Sequence, residues 1–247
     1  MKYSQKDLDK HLDEEHKINP LSEYLKEIVY GGNDGIITTF AVVAGFAGAT
    51  GGGHIPIISF IAVLIFGLAN LFADGISMGL GNFLSVHSDQ DNYKTHKQKE
   101  LHEIRTNPNM EAAETIQILK NKGYSQKKAE AMTKLYTQNE DYWLEFMMNQ
   151  ELEFPNPENT NPLLTGLATF FSFIFFGFIP LMPYVVLKSA NNTFLYSSFS
   201  TLIALILLGL LRWRISKQSA LRSVGEVVLV GGVSAITAFV VGSFFRA

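Results

Sequence analysis

Residues 57–86 read IISFIAVLIFGLANLFADGISMGLGNFLSV, thirty positions with a single charge, Asp74. An apolar run of that length with so few charges reads as a membrane-spanning helix. At ~1.5 Å per residue it would measure ~45 Å, against a hydrocarbon core of ~30 Å. Its C-terminal part is therefore expected to project into water and run on into the charged sequence that follows. Asp74 is the anomaly, because a carboxylate at bilayer depth costs several kcal/mol unless it has a partner or lines a wet cavity.

The rest of the chain divides as sharply as this stretch. Of the 247 residues 47% are hydrophobic and only 17% charged, and the charges crowd into residues 1–30, 87–160 and one short basic loop. Four further apolar segments join the first, giving five expected spans at Tyr24–Gly48, Ile57–Val86, Leu163–Leu187, Thr193–Leu211 and Val224–Phe245. The first is the weakest by hydropathy, since it carries Glu27 and Asp34. ATGGGHIP, NTNP and SANN separate the later spans, and Pro180 and Pro183 are expected to kink or end the third. The expectation is an all-α membrane protein of five transmembrane helices, with a cytosolic helical metal-binding domain inserted between the second and third. Its divisions are 1–86, 87–160 and 161–247. With a net charge of -3 and no basic stripe, nucleic acid is not an expected partner. With no cysteine, thiolate zinc sites and iron–sulfur clusters are excluded, leaving Asp, Glu, His and Met as metal ligands.

Lys and Arg near helix ends set the expected orientation. RWRISKQSALR (212–222) carries Arg212, Arg214, Lys217 and Arg222, the loop at 49–56 carries neither residue type, and the next carries only Lys188. Five spans then place the N-terminus, residues 87–160 and the basic loop in the cytosol, with the C-terminus outside. MKYSQKDLDKHLDEEHK lacks the apolar core of a signal peptide, which fits a prokaryotic plasma membrane. Within 87–160, Pro108 and Gly123 are the expected breaks. They leave helices ending near Thr106, from Met110 to Lys122, and from Gln126 to Leu152, the last in one piece or two, with Ser125 as its N-cap.

Two sets of polar residues carry the expected chemistry. On the second span Asn70, Asp74 and Met78 fall at i, i+4 and i+8 on one face, with Ser77 beside them. On the first, Glu23, Glu27 and Asp34 also fall near one face. Two acidic stripes on consecutive antiparallel helices point to a cation route between them. The competing reading is a buried Asp74 bonded to Asn33 or Ser77 to lock helix packing. Met78 alone would mean only that a gap is filled. Next to a carboxylate, its thioether suits a borderline ion such as Fe²⁺ better than Ca²⁺ or Mg²⁺.

In the polar region, KELHEIRTNPNMEAAET (99–115) holds Glu100/Glu103 and Glu111/Glu114, two E-x-x-E pairs. EFMMNQELEF (145–154) holds Met147, Met148 and Glu151, with Met147 one turn before Glu151. If these helices fold back on each other, the carboxylates and a Met converge on one cluster. A solvated helix face is the plainer reading of either Glu pair, and core or subunit interface that of the two Met. His87, His96 and His102 fit no zinc spacing and are expected at the surface.

These residues resemble the vacuolar iron transporter family, along nearly the whole chain from Glu23 onward. The resemblance rests on EIVYGGNDGIITTFAVVAGFAGA (27–49) and ADGISMGLGNFLSVHSDQDNY (73–93), with MEAAETIQIL, YWLEFMMNQELEF and FIPLMPYVV extending it. It implies export of cytosolic Fe²⁺, and of Mn²⁺ in many members, in exchange for protons. It also implies a homodimer of five-helix subunits with a cytosolic metal-binding domain. By resemblance Asp34 and Met78 match translocation residues, and Glu23 and Glu27 match the acidic cytosolic mouth. Glu100, Glu103, Glu111, Glu114, Met147 and Glu151 match the cytosolic ligands. The chain departs where plant members have a second-helix glutamate: here Asn70 stands, with Asp74 one turn later. The expected partners are thus the lipid bilayer, divalent metal ions, protons and a second copy of the chain, with no organic cofactor and no enzyme activity. The rival reading is a membrane-anchored iron-oxidising or iron-storage protein. It is weaker, because di-iron bundles use Glu-x-x-His pairs and 87–160 has none.

Overall fold

The computed structural model describes residues 10–11, 20–50, 57–187, 192–217 and 219–245, and every regular element among them is helical. ATGGGHIP and SANN lie largely outside the described residues, as do Lys188 and most of the charged N-terminal stretch. Two compact units emerge, one of Met1–Asn82 with Leu163–Ala247, the other of Phe83–Pro162.

In the first unit, a short turn at Pro20–Glu23 leads into α1 (Leu25–Ala49). It is followed by α2 (Ile57–Thr106), whose residues beyond Asn82 belong to the second unit. After the second unit come α6 (Pro162–Phe178), a 3-10 turn (Ile179–Leu181), α7 (Met182–Val186), α8 (Thr193–Ser216) and α9 (Ala220–Ser243). Four stretches among the described residues are long and apolar enough to cross a membrane: Phe60–Thr106, Pro162–Val186, Thr193–Ser216 and Ala220–Ser243. The chain is an all-α integral membrane protein. The first expected span is not among the four. Glu27, Asn33 and Asp34 lower the hydropathy of α1, and its glycines do nothing to raise it.

Burial explains how so polar a helix is kept in this unit. Phe40, Val43 and Ala44 of α1 join Val63 and Leu71 of α2, Phe173 of α6, and Leu181 and Tyr184 in one cluster. Ile36 of α1 joins Phe176, Ala204, Leu205, Leu208 and Val227 in a second. α1 and α6 are thus common to both. Lipid tails are as apolar as leucine, so close van der Waals packing holds such helices together, and small residues permit it. A Cβ added at Gly35 would collide with the Phe173 backbone carbonyl of α6. One added at Gly242 would collide with the Gly45 carbonyl of α1.

The kink expected at Pro180 and Pro183 is a 3-10 turn between α6 and α7. Pro183 has no N–H to offer the Ile179 carbonyl one turn earlier. That carbonyl accepts instead from Met182 N–H and, at 3.2 Å, from the Ser200 hydroxyl of α8. Ser197 donates to the Pro180 carbonyl at 2.6 Å. Ser197 thus supplies a donor at the proline break, and Ser200, whose hydroxyl also lies 2.9 Å from the Ser197 carbonyl, offers a second to a carbonyl already bonded.

The second unit holds the end of α2, then α3 (Pro108–Asn121), α4 (Gln126–Tyr136) and α5 (Glu140–Gln150). Its core is Tyr93, Ile104, Trp143, Leu144, Met147 and Met148. Pro108 opens α3 two residues before the expected start, because proline at the first helical position gives up an N–H that has no partner anyway. The expected third helix is two: Asn139 accepts from Tyr142 N–H at 3.2 Å and starts α5 afresh. Ser125 does occupy the N-cap position of α4, but its side chain makes no capping bond.

Candidate functional site

Within the second unit Glu100 of α2, Glu111 of α3 and Glu151 at the end of α5 each offer a carboxylate oxygen, all within 4.8 Å of one another. Glu100 and Glu111 are only 3% and 4% exposed. One oxygen of each, Glu100 Oε1 and Glu111 Oε2, is buried with no hydrogen-bond partner in the protein. Buried acceptors are normally paired, so two orphans on neighbouring carboxylates mark a place for a cation or a proton. The surroundings of these carboxyls favour protonation. Burial, then the charges of Glu151 and Glu111, push the Glu100 carboxyl up to about 8. Burial and the charges of Glu114, Glu111 and Glu103 push Glu151 to about 7, with Lys99 opposing them. Glu111 is raised as well, first by burial and then by Glu114.

Each E-x-x-E pair therefore sends one member into the cluster and keeps the other at its edge. Glu103 is half-buried and meets Lys99 Nζ at 3.6 Å. Glu114 is half-buried too, and its charge bears on both Glu111 and Glu151. Met147 and Met148 are fully buried core residues. Met147 is tied to the cluster through Thr115, a residue sequence reading missed. Thr115 Oγ1 accepts from the Trp143 indole N–H at 2.8 Å, and lies 2.8 Å from the Glu111 carbonyl and 3.2 Å from Met147 Sδ. Its single proton serves one of those two acceptors at a time, the nearer being the Glu111 carbonyl. The available signal was its i+4 spacing from Glu111. The histidines lie apart: His87 meets Asp91 at 3.7 Å, and the His96 ring packs on Phe154.

In the first unit the polar stripe takes a different form from the one expected. Asp74 is half-buried and accepts from Asn70 Nδ2 at 2.7 Å, one turn back on α2. Its partner is neither Asn33 nor Ser77. Asp34 of α1 is half-buried and near enough to Asp74 for one charge to act on the other. Thr38 bonds the Asp34 backbone carbonyl and leaves the carboxylate alone. Met78 packs against the core cluster of α1, α2 and α6, while Ser77 is exposed. Glu27 is half-buried at the start of α1, and Glu23 is exposed on the turn before it.

Bilayer-length helices holding two half-buried aspartates, together with a separate helical unit holding a glutamate cluster, define a polytopic membrane protein rather than a soluble enzyme. Comparison with known proteins places it more closely. The VIT family model matches residues 25–243. The chain is 32% identical to vacuolar iron transporter 1 of Arabidopsis thaliana over 217 residues, 88% of this chain and 84% of the relative. It is 35% identical to the vacuolar iron transporter of Plasmodium berghei over 248 residues, 97% and 87% of the two chains. To that of Toxoplasma gondii it is 32% identical over 255 residues, 97% and 81%. The chain belongs to the vacuolar iron transporter family, a family of transport proteins and not of enzymes.

Proposed function

We propose that this protein carries Fe²⁺, and Mn²⁺ as a second substrate, out of the cytosol in exchange for protons. Iron is the substrate named in its relatives. The carrying observation is the Glu100–Glu111–Glu151 cluster, whose two orphaned buried oxygens suit a small divalent cation. Oxygen donors with a nearby thioether favour a borderline ion over Ca²⁺ or Mg²⁺. The cluster collects the ion in the cytosol, with Met147 as its soft neighbour and Glu103 and Glu114 supplying negative potential. The ion then passes Glu23 and Glu27 and crosses by Asp34, Asp74 and Met78. Asn70 holds one Asp74 oxygen, so that carboxylate is oriented before the ion arrives. A carboxylate that binds the cation when ionised and a proton when neutral is by itself an exchanger element.

The Lys and Arg at 212–222 support a cytosolic basic loop, with the second unit on the same side. The relatives are named for the vacuole, and nothing in their names supports the plasma-membrane placement expected above. An exposed flank of α2 at Ser77 and Gly81, beside the half-buried Asp74, supports coverage by a second copy in a homodimer.

Metal flux in proteoliposomes tests the reading. The wild-type protein should move Fe²⁺ and Mn²⁺ faster when a proton gradient is imposed and slow when it is collapsed. Asp34→Ala should abolish flux while the protein remains folded, and undiminished flux in that variant would refute the route.

A further inference from the structure

We propose that the cleft between α1, α8 and α9 binds an anionic glycerophospholipid, its phosphate held by Lys26 and Arg212. The cleft has a volume of about 710 Å³ and is open at the surface of the first unit. Val29 and Val230 belong to its walls, while Lys26, Arg212, Ser216 and Glu226 give it one polar end. The charges there do not cancel. Glu226 accepts from Arg212 Nη1 at 2.7 Å and from Arg222 Nε at 2.8 Å. Two arginines on one carboxylate leave one positive charge in surplus, and Lys26 adds another. Among the described residues no carboxylate pairs with Lys26. Arg214 and Lys217 at the end of α8 strengthen the same potential.

Those two features together select the ligand. A free phosphate ester would gain from the cations but would set its other oxygens against valine. A phospholipid keeps its phosphate at the cations and lays its glycerol and upper methylenes along Val29 and Val230. Basic pockets between membrane helices recognise lipid headgroups in this way. Trp213, next to Arg212 and 41% exposed, is the kind of side chain that sits at headgroup level. Asn33 of α1 lines the cleft as well. Phosphatidylglycerol offers the phosphate, the glycerol and the methylenes at once.

Native mass spectrometry of the full-length protein in neutral detergent, titrated with phosphatidylglycerol or phosphatidylcholine, tests the site without reference to transport. The wild type should retain phosphatidylglycerol, with phosphatidylcholine at least about tenfold weaker. Lys26→Gln with Arg212→Gln should weaken phosphatidylglycerol by roughly tenfold or more. Arg222→Gln removes one unit of the surplus and one bond to Glu226, but Arg222 does not line the cleft, so this variant should lose clearly less than the double variant. Val230→Phe, at a position 47% exposed, fills the groove without touching charge. It should also weaken binding, which keeps the test decisive if the double variant misfolds. Binding as tight as the wild type's in both the charge and the groove variants would overturn the proposal. So would a loss in Arg222→Gln as large as in the double variant, which would mean diffuse attraction to a basic surface. Displacement of the lipid by glycerol 3-phosphate at comparable concentration would show a site for soluble phosphate esters instead. A wild type that retains no lipid would also end it.

Discussion

A carboxyl that holds its proton to about pH 8 competes with any cation offered to it, and Glu100 is such a group. Glu151, near 7, competes over a lower range. Metal binding must displace these protons, so affinity rises with pH. Mn²⁺ titration of the detergent-solubilised protein should show tighter binding as pH goes from about 6 to about 8, with protons released on binding. A flat profile would remove the glutamate cluster as the binding site. Stability without metal should run the other way. Glu100 keeps its proton in the folded chain at pH values where the unfolded chain has already lost it. The metal-free fold therefore loses stability as pH rises from the ordinary carboxylate range through about 8, and bound metal restores it. Glu100→Gln cannot ionise. It should flatten that dependence of the melting temperature while weakening Mn²⁺ by at least about tenfold. The two readouts separate a ligand from a packing residue, since a residue that only packs would leave metal affinity unmoved.

The helices of the first unit meet through glycine, and two glycines of similar sequence appearance should behave oppositely. At Gly35 an added Cβ runs into the Phe173 carbonyl, which is backbone and cannot swing aside, whereas at Gly225 nothing lies within 4 Å. Gly35→Ala should lower the melting temperature and displace Asp34, its neighbour in sequence, so metal flux falls too. Gly225→Ala should be neutral, or stabilise by up to about 1 kcal/mol through helix propensity. Differential scanning fluorimetry on both variants decides between packing and propensity. No periodicity in the sequence separates these two residues, because what distinguishes them belongs to the neighbouring helix. The same limit appears elsewhere. The long apolar runs of α2, α6, α8 and α9 were legible because composition alone reports them. The C-terminal end of α8 was not: Arg212, Trp213 and Arg214 favour water yet remain helical, so α8 starts at the expected Thr193 but runs to Ser216, past the expected Leu211. The break before α5 carries no Pro or Gly, only an asparagine that caps. The two E-x-x-E pairs and Glu151 could be read as candidates from spacing. Which member of each pair turns inward depends on how α2, α3 and α5 pack, and the Thr115 hydroxyl that links Met147 to Glu111 is invisible until they do.

Over the whole first unit the open question is how many times the chain crosses the membrane, since α1 falls outside the four helices apolar enough to span it. Packing supports a crossing. Ser22, just before α1, and Ser216, at the end of α8, line one cleft. At the other end of α1, Gly48 abuts Phe239 and Ser243 of α9. α1 therefore runs beside α9, a spanning helix, from one end to the other, and its 25 residues measure ~37 Å against a ~30 Å core. Hydropathy understates it because α6, α8 and α9 cover the face that lipid would otherwise meet, and a protein-covered helix can keep Glu27, Asn33 and Asp34. Topology then gives a clean test, since the chain has no cysteine to interfere. Single substitutions Ser22→Cys, Ser216→Cys and Ser243→Cys, all at exposed positions, would be probed in sealed vesicles with a membrane-impermeant maleimide. Five crossings put Ser22 and Ser216 on one side and Ser243 on the other. If α1 does not cross, Ser22 reacts from the same side as Ser243. That result would take Asp34 out of the membrane and leave Asp74 without a facing carboxylate, and the exchange route between the first two long helices would go with it.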